Sequence, residues 1–289
     1  MRDPTQSPEG LWKALGEAES AASALLLGRL NPFREPVRDC YEAGVQSQGL
    51  LPCARRSTTD LRVAALYLKR VLMDLRATWL LCIRGYTSQA AAVAASLFEN
   101  ALASEIISGD PDKAAQCLEE PTGGLPWSVR EMTNLRVSRR EAAAQLRGQT
   151  FTDTERLSAG DITYYTYRWL CKMKHPTTPS LVHDASGTNL GDRTFVVMAL
   201  PNVHEDDLTL KGLILTDVVL EAKSSVHAFA EAHEPDRASP AHRDFAERME
   251  GITPQLSRAF HDVCSDPAPF LLDQHSYAIR ALRDPFQDR

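Results

Sequence analysis

Apolar residues recur at steps of three and four along most of this chain, and the clearest run predicts a long helix. Leu61, Ala65, Leu68, Leu72, Leu75, Trp79 and Ile83 form an unbroken march with the period of an α-helix. Ser57-Thr58-Thr59-Asp60 ahead of it offers an N-cap, and Gly85 a stop. A second helix follows at once, capped by Thr87-Ser88, running to about Ile107 and ended by Ser108-Gly109-Asp110-Pro111. Its alanines (Ala90, Ala91, Ala92, Ala94, Ala95) let another helix approach closely. Two such helices joined by a short turn make an antiparallel hairpin, the unit of a bundle. Residues 161–175 are the partner expected for the small-residue face.

Helical spacing also predicts elements over 7–30, ended by Asn31-Pro32, and over 111–119, with Pro111 at the first helical position. Between them 37–46 can hold a short helix within a loop-prone stretch. Residues 127–147 read as a third main helix, and Asp161 can cap another that runs to about Lys174 before Pro176 and Pro179. The pattern changes from 177 to 205. Turn residues surround Gly187 and Gly191, and 194–200 (TFVVMAL) is the one good strand candidate. Helix resumes at Asp206-Asp207 with a broad apolar face from Leu208 to Phe229, and a last amphipathic helix is expected around 242–263. The fold class is therefore all-α, a helical bundle with a small extended or β-hairpin insertion near 180–200. Residues 1–58 would form an N-terminal helix and loop, 59–232 the bundle core, and 233–289 a C-terminal helix and tail packed on it.

Composition places this pattern in an ordinary globular protein. Of 289 residues 43% are hydrophobic and 24% charged, which is not the balance of a disordered chain. A net charge of −6 argues against a protein that coats nucleic acid non-specifically, and leaves room for a local basic groove. The six cysteines are scattered without a CxxC pair, so neither a disulfide framework nor a structural zinc site is expected. The first residues, MRDPTQSPEG, contain no apolar core of a secretory signal. The apolar runs are interrupted by Arg76, Arg84 and Glu99 before they reach bilayer length. A soluble, cytoplasmic protein without a membrane segment is the expectation.

Candidate chemistry concentrates in YYTYRWLCKMKHP, from Tyr164 to Pro176. Arg168 and His175 are seven residues apart, about two helical turns, and so share a face with Asp161, Tyr164 and Cys171. Pro176 disfavours the α conformation at His175, which puts the imidazole at a frayed and accessible helix end. A guanidinium that can hold phosphate, with an imidazole that exchanges protons near neutral pH, is a minimal metal-free pair for cleaving a phosphodiester. Lys172 adds positive charge, and Tyr164 or Tyr167 could stack on or hydrogen-bond a substrate. The same residues admit a structural role. Glu99, between Phe98 and Leu102 in the alanine-rich helix, needs a partner if buried. Arg168 would supply it while His175 closes a helix end.

The Arg-x6-His spacing at Arg168 and His175 resembles the Arg-x(4–6)-His signature of HEPN domains. Those are helical domains, many of them ribonucleases of toxin–antitoxin, abortive-infection and CRISPR systems. The layout also resembles a family of bacterial all-helical proteins in which a helix like 84–107 carries an inward glutamate, here Glu99, before a tyrosine-containing helix ending in a His-Pro pair. The resemblance covers roughly residues 60–180. Trp169 stands where the enzymes carry a polar residue after the arginine, and Ser96 where an upstream arginine is expected. The resemblance implies a metal-independent endoribonuclease acting in antiviral defence or as a toxin, with Arg168 and His175 catalytic across a homodimer interface. RNA would be the substrate and a cognate antitoxin or defence partner the regulator, with no cofactor. The alternative is a non-catalytic helical scaffold using the same face for dimerisation or partner binding.

Other patterns carry less. Arg55, Arg62, Lys69 and Arg76 recur every seven residues, and Arg130, Arg136, Arg139, Arg140 and Arg147 enrich another helix. They read as a nucleic-acid track or, more simply, as solvated helix faces diluted by Asp74, Glu131 and Glu141. His204-Glu205-Asp206-Asp207 fits an N-cap better than a metal site. No phosphate loop, nucleophile elbow or HExxH motif is present.

Overall fold

Ten α-helices, one of them central, account for nearly all the backbone described in this computed structural model, which covers residues 8–50, 58–175, 177 and 200–264. They are α1 (Pro8–Arg29), α2 (Arg34–Ser47), α3 (Thr59–Ile83), α4 (Thr87–Ile107), α5 (Pro111–Glu119), α6 (Val129–Leu146), α7 (Asp153–Leu157), α8 (Thr163–Lys174), α9 (Glu205–Ala232) and α10 (Pro240–Val263). A 3-10 turn, Asn31–Phe33, links α1 to α2, and a π turn, Ser158–Ile162, links α7 to α8. Among the described residues there is no strand. The extended insertion expected near 180–200 lies outside them apart from Leu200.

α4 is the axis. Ala90, Ala91, Ala94, Ala95, Leu97, Ala101, Leu102 and Ala103 are wholly buried, and α3, α8 and α9 all pack against it. The alanines allow these approaches because a methyl side chain lets two backbones come near each other. Among the described residues α4 is the one helix long and apolar enough to cross a membrane, and 78% of that stretch is buried within the protein. The hairpin expected of α3 and α4 is present. Asp60 accepts the Gly109 N–H (3.0 Å), Ser104 Oγ donates to the Ala64 carbonyl (3.2 Å), and Ser96 Oγ donates to Asp74 (3.0 Å). As the chain advances along α3 these partners step back along α4, which is antiparallel register.

Several helix ends differ from their expected chemistry. Thr58 is the N-cap of α3 without a side-chain cap bond, and Asp60 is turned to the far end of α4. Tyr86, not Thr87, caps α4, and the Thr87 hydroxyl donates to buried Asp207 (2.7 Å). His204 holds the N-cap position of α9 with no side-chain bond, while Glu205 forms a bidentate pair with Arg29 (2.6 and 2.5 Å). Asp161 starts no helix. Thr152 and Glu155 form a capping box, so helical backbone begins ten residues before α8, and the Asp161 carboxylate pairs with Arg130 (2.6 Å). The π turn inserts an extra residue per turn there and is the reason simple 3.6-residue counting fails.

Gly85 fixes the α3–α4 turn against the segment that enters α9. Its φ is +82°, and a Cβ there would lie 2.8 Å from Pro201 Cβ and 2.9 Å from the Asn202 nitrogen. The Asn202 N–H donates to the Gly85 carbonyl (2.9 Å). The glycine is thus required twice, for its backbone angle and for the closeness of a second backbone. α10 closes the other side by packing along α2, where Arg248 reaches Asp39 (3.4 Å) and Glu42.

Candidate functional site

α8 is anchored along one side. Thr163, Leu170 and Met173 are buried, and the Tyr167 hydroxyl donates to Glu99 on α4 (2.7 Å). Burial, together with Cys171 and Glu99, pushes the Tyr167 hydroxyl well above its ordinary pKa, so it remains a donor. Glu99 is therefore the half-buried acid the sequence suggested, and α8 is the helix that meets it, but its partner is Tyr167. Arg168, one residue on, points away. It is exposed, and none of the described residues forms a hydrogen bond or ion pair with it. The expected Glu99–Arg168 pair does not form because a 100° step separates neighbouring residues on a helix.

His175 ends α8 as the proline rule requires. Its backbone is extended (φ −91°, ψ 156°), and its N–H closes the last turn on the Cys171 carbonyl (3.0 Å). The side chain is exposed. Lys172 is half-buried, and its carbonyl accepts the Thr177 hydroxyl (2.7 Å). Tyr164 is engaged elsewhere: Arg130, held by Asp161, lies over its ring at 4.9 Å. Helix α8 thus presents Arg168 and His175 to solvent, while Tyr164, Tyr167 and Glu99 hold it in place.

The two basic rows separate. Arg62, Lys69 and Arg76 are exposed on α3. In the α6 row Arg130, Arg139 and Arg147 are exposed, as a solvated face requires, Arg140 is half-buried, and Arg136 alone turns inward. Arg136 is fully buried between Glu105 of α4 (Nε–Oε2, 2.9 Å) and Glu221 of α9 (2.7 and 3.0 Å). Arg140 also reaches Glu105 (3.0 Å), and Arg139 donates to the Glu105 and Ser108 carbonyls at the C-terminal end of α4 (2.5 and 2.7 Å). Guanidiniums suit that place because the last carbonyls of a helix lack partners and carry negative dipole charge.

This network floors a trench of about 1370 Å³ between α6 and α9, closed at one side by the α7 region and the first turns of α8. Asp217, half-buried in its wall, forms no hydrogen bond with any described residue. Burial, then the neighbouring Glu221 carboxylate, pushes Asp217 up to about 7. Burial likewise lowers the His227 imidazole below its usual value. Sequence reasoning missed this site. Glu105 gave a signal, since Ala101, Leu102, Ile106 and Ile107 surround it with no polar neighbour at helical spacing before Ser108, whereas Glu99 stands beside Ser96 and Asn100.

The Asp217 shift has a stability consequence. The folded value lies above the ordinary 3.8, so the group's contribution is present below that value and is lost as pH rises through about 7. Asp217→Asn removes the loss. With Asp217 partly open to solvent, the variant should be more stable than wild type at pH 8 by about 1–2 kcal/mol, and by less than half of that at pH 5. Urea unfolding at the two pH values reads this; an equal effect at both would show that ionisation of Asp217 is not the cause.

Burial of Cys40 and Cys82 pushes each thiol up to about 12, which makes both poor nucleophiles. Among the described residues, no group of three or more His, Cys, Asp or Glu side chains is placed to hold a metal ion. The chain was compared with protein-family models, curated proteins and solved structures, and none matches it.

Proposed function

We propose that the C-terminal end of α8 is a phosphodiester-cleaving site and that the protein is a HEPN-like, metal-independent endoribonuclease, working in the cytoplasm in a bacterial defence or toxin–antitoxin setting. The observation that carries this reading is the exposure of Arg168. Its expected acid, Glu99, is taken by Tyr167, and among the described residues no carboxylate pairs with the guanidinium to compete with a phosphate. His175 is exposed at an extended helix end seven residues on, where the imidazole has room to meet a substrate.

The chemistry follows from those two groups. His175 takes the proton of the RNA 2′-hydroxyl, which attacks the adjacent phosphorus, or donates a proton to the departing 5′-oxygen. Arg168 balances the negative charge that builds on the phosphorane oxygens. Lys172 adds to the local positive potential, and a second copy of the chain would bring a second such pair beside the first.

Expression of wild type beside His175→Ala and Arg168→Ala, with growth and total RNA followed, is the test. Wild type is expected to slow growth and cut RNA, and each variant to lose at least about a hundredfold in cleavage rate while remaining folded by circular dichroism. Folded wild-type protein that cuts no RNA would end this reading.

A specific observation favours the second reading, a helical interaction module. Leu66, Met73 and Leu80 are exposed on α3 at seven-residue spacing, an apolar row of the kind that pairs with another helix. That outcome would appear as an oligomer or complex without nuclease activity.

A further inference from the structure

One side of α3 carries cations and apolar residues in a single period. Arg62, Leu66, Lys69, Met73, Arg76 and Leu80 follow one another at steps of four and three, and all six are exposed. Those steps put them in one seam along the helix, with one cation and one apolar residue in every seven. The rest of α3 is covered by α4, α9, α2, α5 and α1, so among the described residues the seam is the side left open. Leu66 and Met73 are 66% and 61% exposed, which leaves most of each side chain to a partner.

The cations of the seam lack counter-charges. Among the described residues Arg62, Lys69 and Arg76 form no ion pair, and Arg62 has only a 3.5 Å hydrogen bond to the Thr59 hydroxyl. Both acids of α3 lie off the seam. Asp60 is buried against the Gly109 N–H. Asp74 is half-buried, accepts from Ser96 and Asn100, and offsets Arg70 one turn before it. Acids on the flanking helices are engaged elsewhere: Asp39 and Glu42 of α2 with Arg38 and Arg248, Glu17 of α1 with Lys13. Helix α5 meets α3 at Tyr67, which bonds Cys117 almost opposite Lys69 around the helix.

What covers the seam must bring carboxylates to cations about 10.5 Å apart and apolar groups to the row beside them. A second copy using the same face would set cation against cation. RNA offers phosphates and nothing for the apolar row. A lipid surface asks for an apolar arc of about 100°, whereas a seven-residue repeat drifts about 20° per step and keeps these three side chains within about 40°. The stretches outside the described residues are not acidic amphipathic runs either: 51–57 contains Arg55 and Arg56, 176–199 has its aspartates apart at Asp184 and Asp192, and 265–289 mixes aspartates with Arg280, Arg283 and Arg289. A helix of another protein, with the same period and the opposite charge, meets both requirements at once.

We propose that the open side of α3 docks an acidic amphipathic helix of a partner protein, its apolar residues on Leu66, Met73 and Leu80 and its carboxylates on Arg62, Lys69 and Arg76. This rests on the second reading above, the interaction module, whose partner it specifies, and does not depend on nuclease activity.

Fluorescence anisotropy on the full-length protein tests it, with a labelled peptide of three heptads that has a leucine in each and glutamates three and four residues after it, alanine and glutamine elsewhere. The acidic peptide is expected to bind, and the same peptide with glutamine for every glutamate to bind at least about tenfold more weakly. The double variant Lys69→Glu with Arg76→Glu, both exposed positions, should stay folded by circular dichroism and lose a similar factor for the acidic peptide. A lysine-for-glutamate peptide should then prefer that variant to wild type, a swap that damage to the fold would not produce. Equal binding of the glutamine peptide overturns the acidic partner and leaves an interaction module of other chemistry. Tighter binding to phosphatidylserine vesicles or to an RNA duplex than to the acidic peptide, lost in the double variant, overturns it in favour of that surface. A wild-type oligomer that Met73→Glu disperses gives the seam to a second copy and overturns it too. No binding of the acidic peptide overturns the docking site itself.

Discussion

Arg136→Met is expected to destabilise the protein by about 3–5 kcal/mol, among the largest effects any single side chain in the fold should have. Arg136 is 1% exposed, and its guanidinium is the shared partner of Glu105 and Glu221, which come from helices on either side. Burial opposes its charge, yet the two carboxylates keep it protonated throughout the accessible pH range. Methionine fills much of the same volume and brings no charge, so the loss measures stranded carboxylates rather than a cavity. Glu105 retains Arg140 in the variant, while Glu221 is left without an ion-pair partner among the described residues. Glu221→Gln in the Arg136→Met background should accordingly recover more stability than Glu105→Gln does. Urea unfolding of wild type, the single variant and the two double variants measures this coupling. A cost under about 1 kcal/mol for Arg136→Met would mean that the three helices are not held through this guanidinium.

That network also marks where the sequence stopped being legible. Helices α3 and α4 were readable because each repeats one apolar face for six or seven turns, and Gly85 and Gly109 punctuate them; observed and expected ends agree within a residue or two. Residues 111–119 were equally plain, since Pro111 and Asp110 provide a start with its own chemistry, and Asp110 does accept the Lys113 N–H (3.1 Å). Pairing of buried charges is different. Periodicity places a residue on a face but does not name its neighbour on another helix. Arg136 therefore looked like one more member of a basic row, and Glu99 looked like the acid in need of an arginine. The π turn was illegible for a related reason, because Ser158–Ile162 differs from an α-turn by one hydrogen-bond register and carries no distinct side-chain pattern. At the candidate site, the helix, its end at His175 and the exposure of that residue were all readable from Pro176. The freedom of Arg168 was not, because it depends on Tyr167 reaching Glu99 first.

Lys211→Met should cost nearly as much as loss of Arg136, about 3–4 kcal/mol, and for the same physical reason at the opposite end of α4. Lys211 is fully buried and Asp207 almost so. The ammonium donates to the Asp207 carboxylate one turn earlier in α9 and to the Asn202 carbonyl (3.0 Å), and the carboxylate also accepts the Thr87 hydroxyl (2.7 Å). One ion pair thus joins the first turn of α9, the first turn of α4 and the segment that crosses Gly85. Removing the lysine takes the cation away from a buried carboxylate that keeps the Thr87 hydroxyl. Asp207→Asn should cost a similar amount, since it leaves the fully buried ammonium with the neutral Asn202 carbonyl in place of its counter-charge. Thr87→Val, which removes one neutral hydrogen bond, should cost about 1 kcal/mol. Lys211→Met and Asp207→Asn are both expected to cost more than Thr87→Val. The double variant Lys211→Met with Asp207→Asn should be more stable than Lys211→Met alone, because it removes the stranded charge. Water and salt do not reach a pair this deep, so the ranking should hold between 0.05 and 1 M sodium chloride, roughly 14 and 3 Å of screening length. An exposed pair such as Arg29–Glu205 should lose most of its smaller contribution over the same range. If the cost of Lys211→Met fell with salt as steeply as that of the surface pair, the ion pair would have to be solvated, and the junction of α4 with α9 would owe its stability to apolar packing alone.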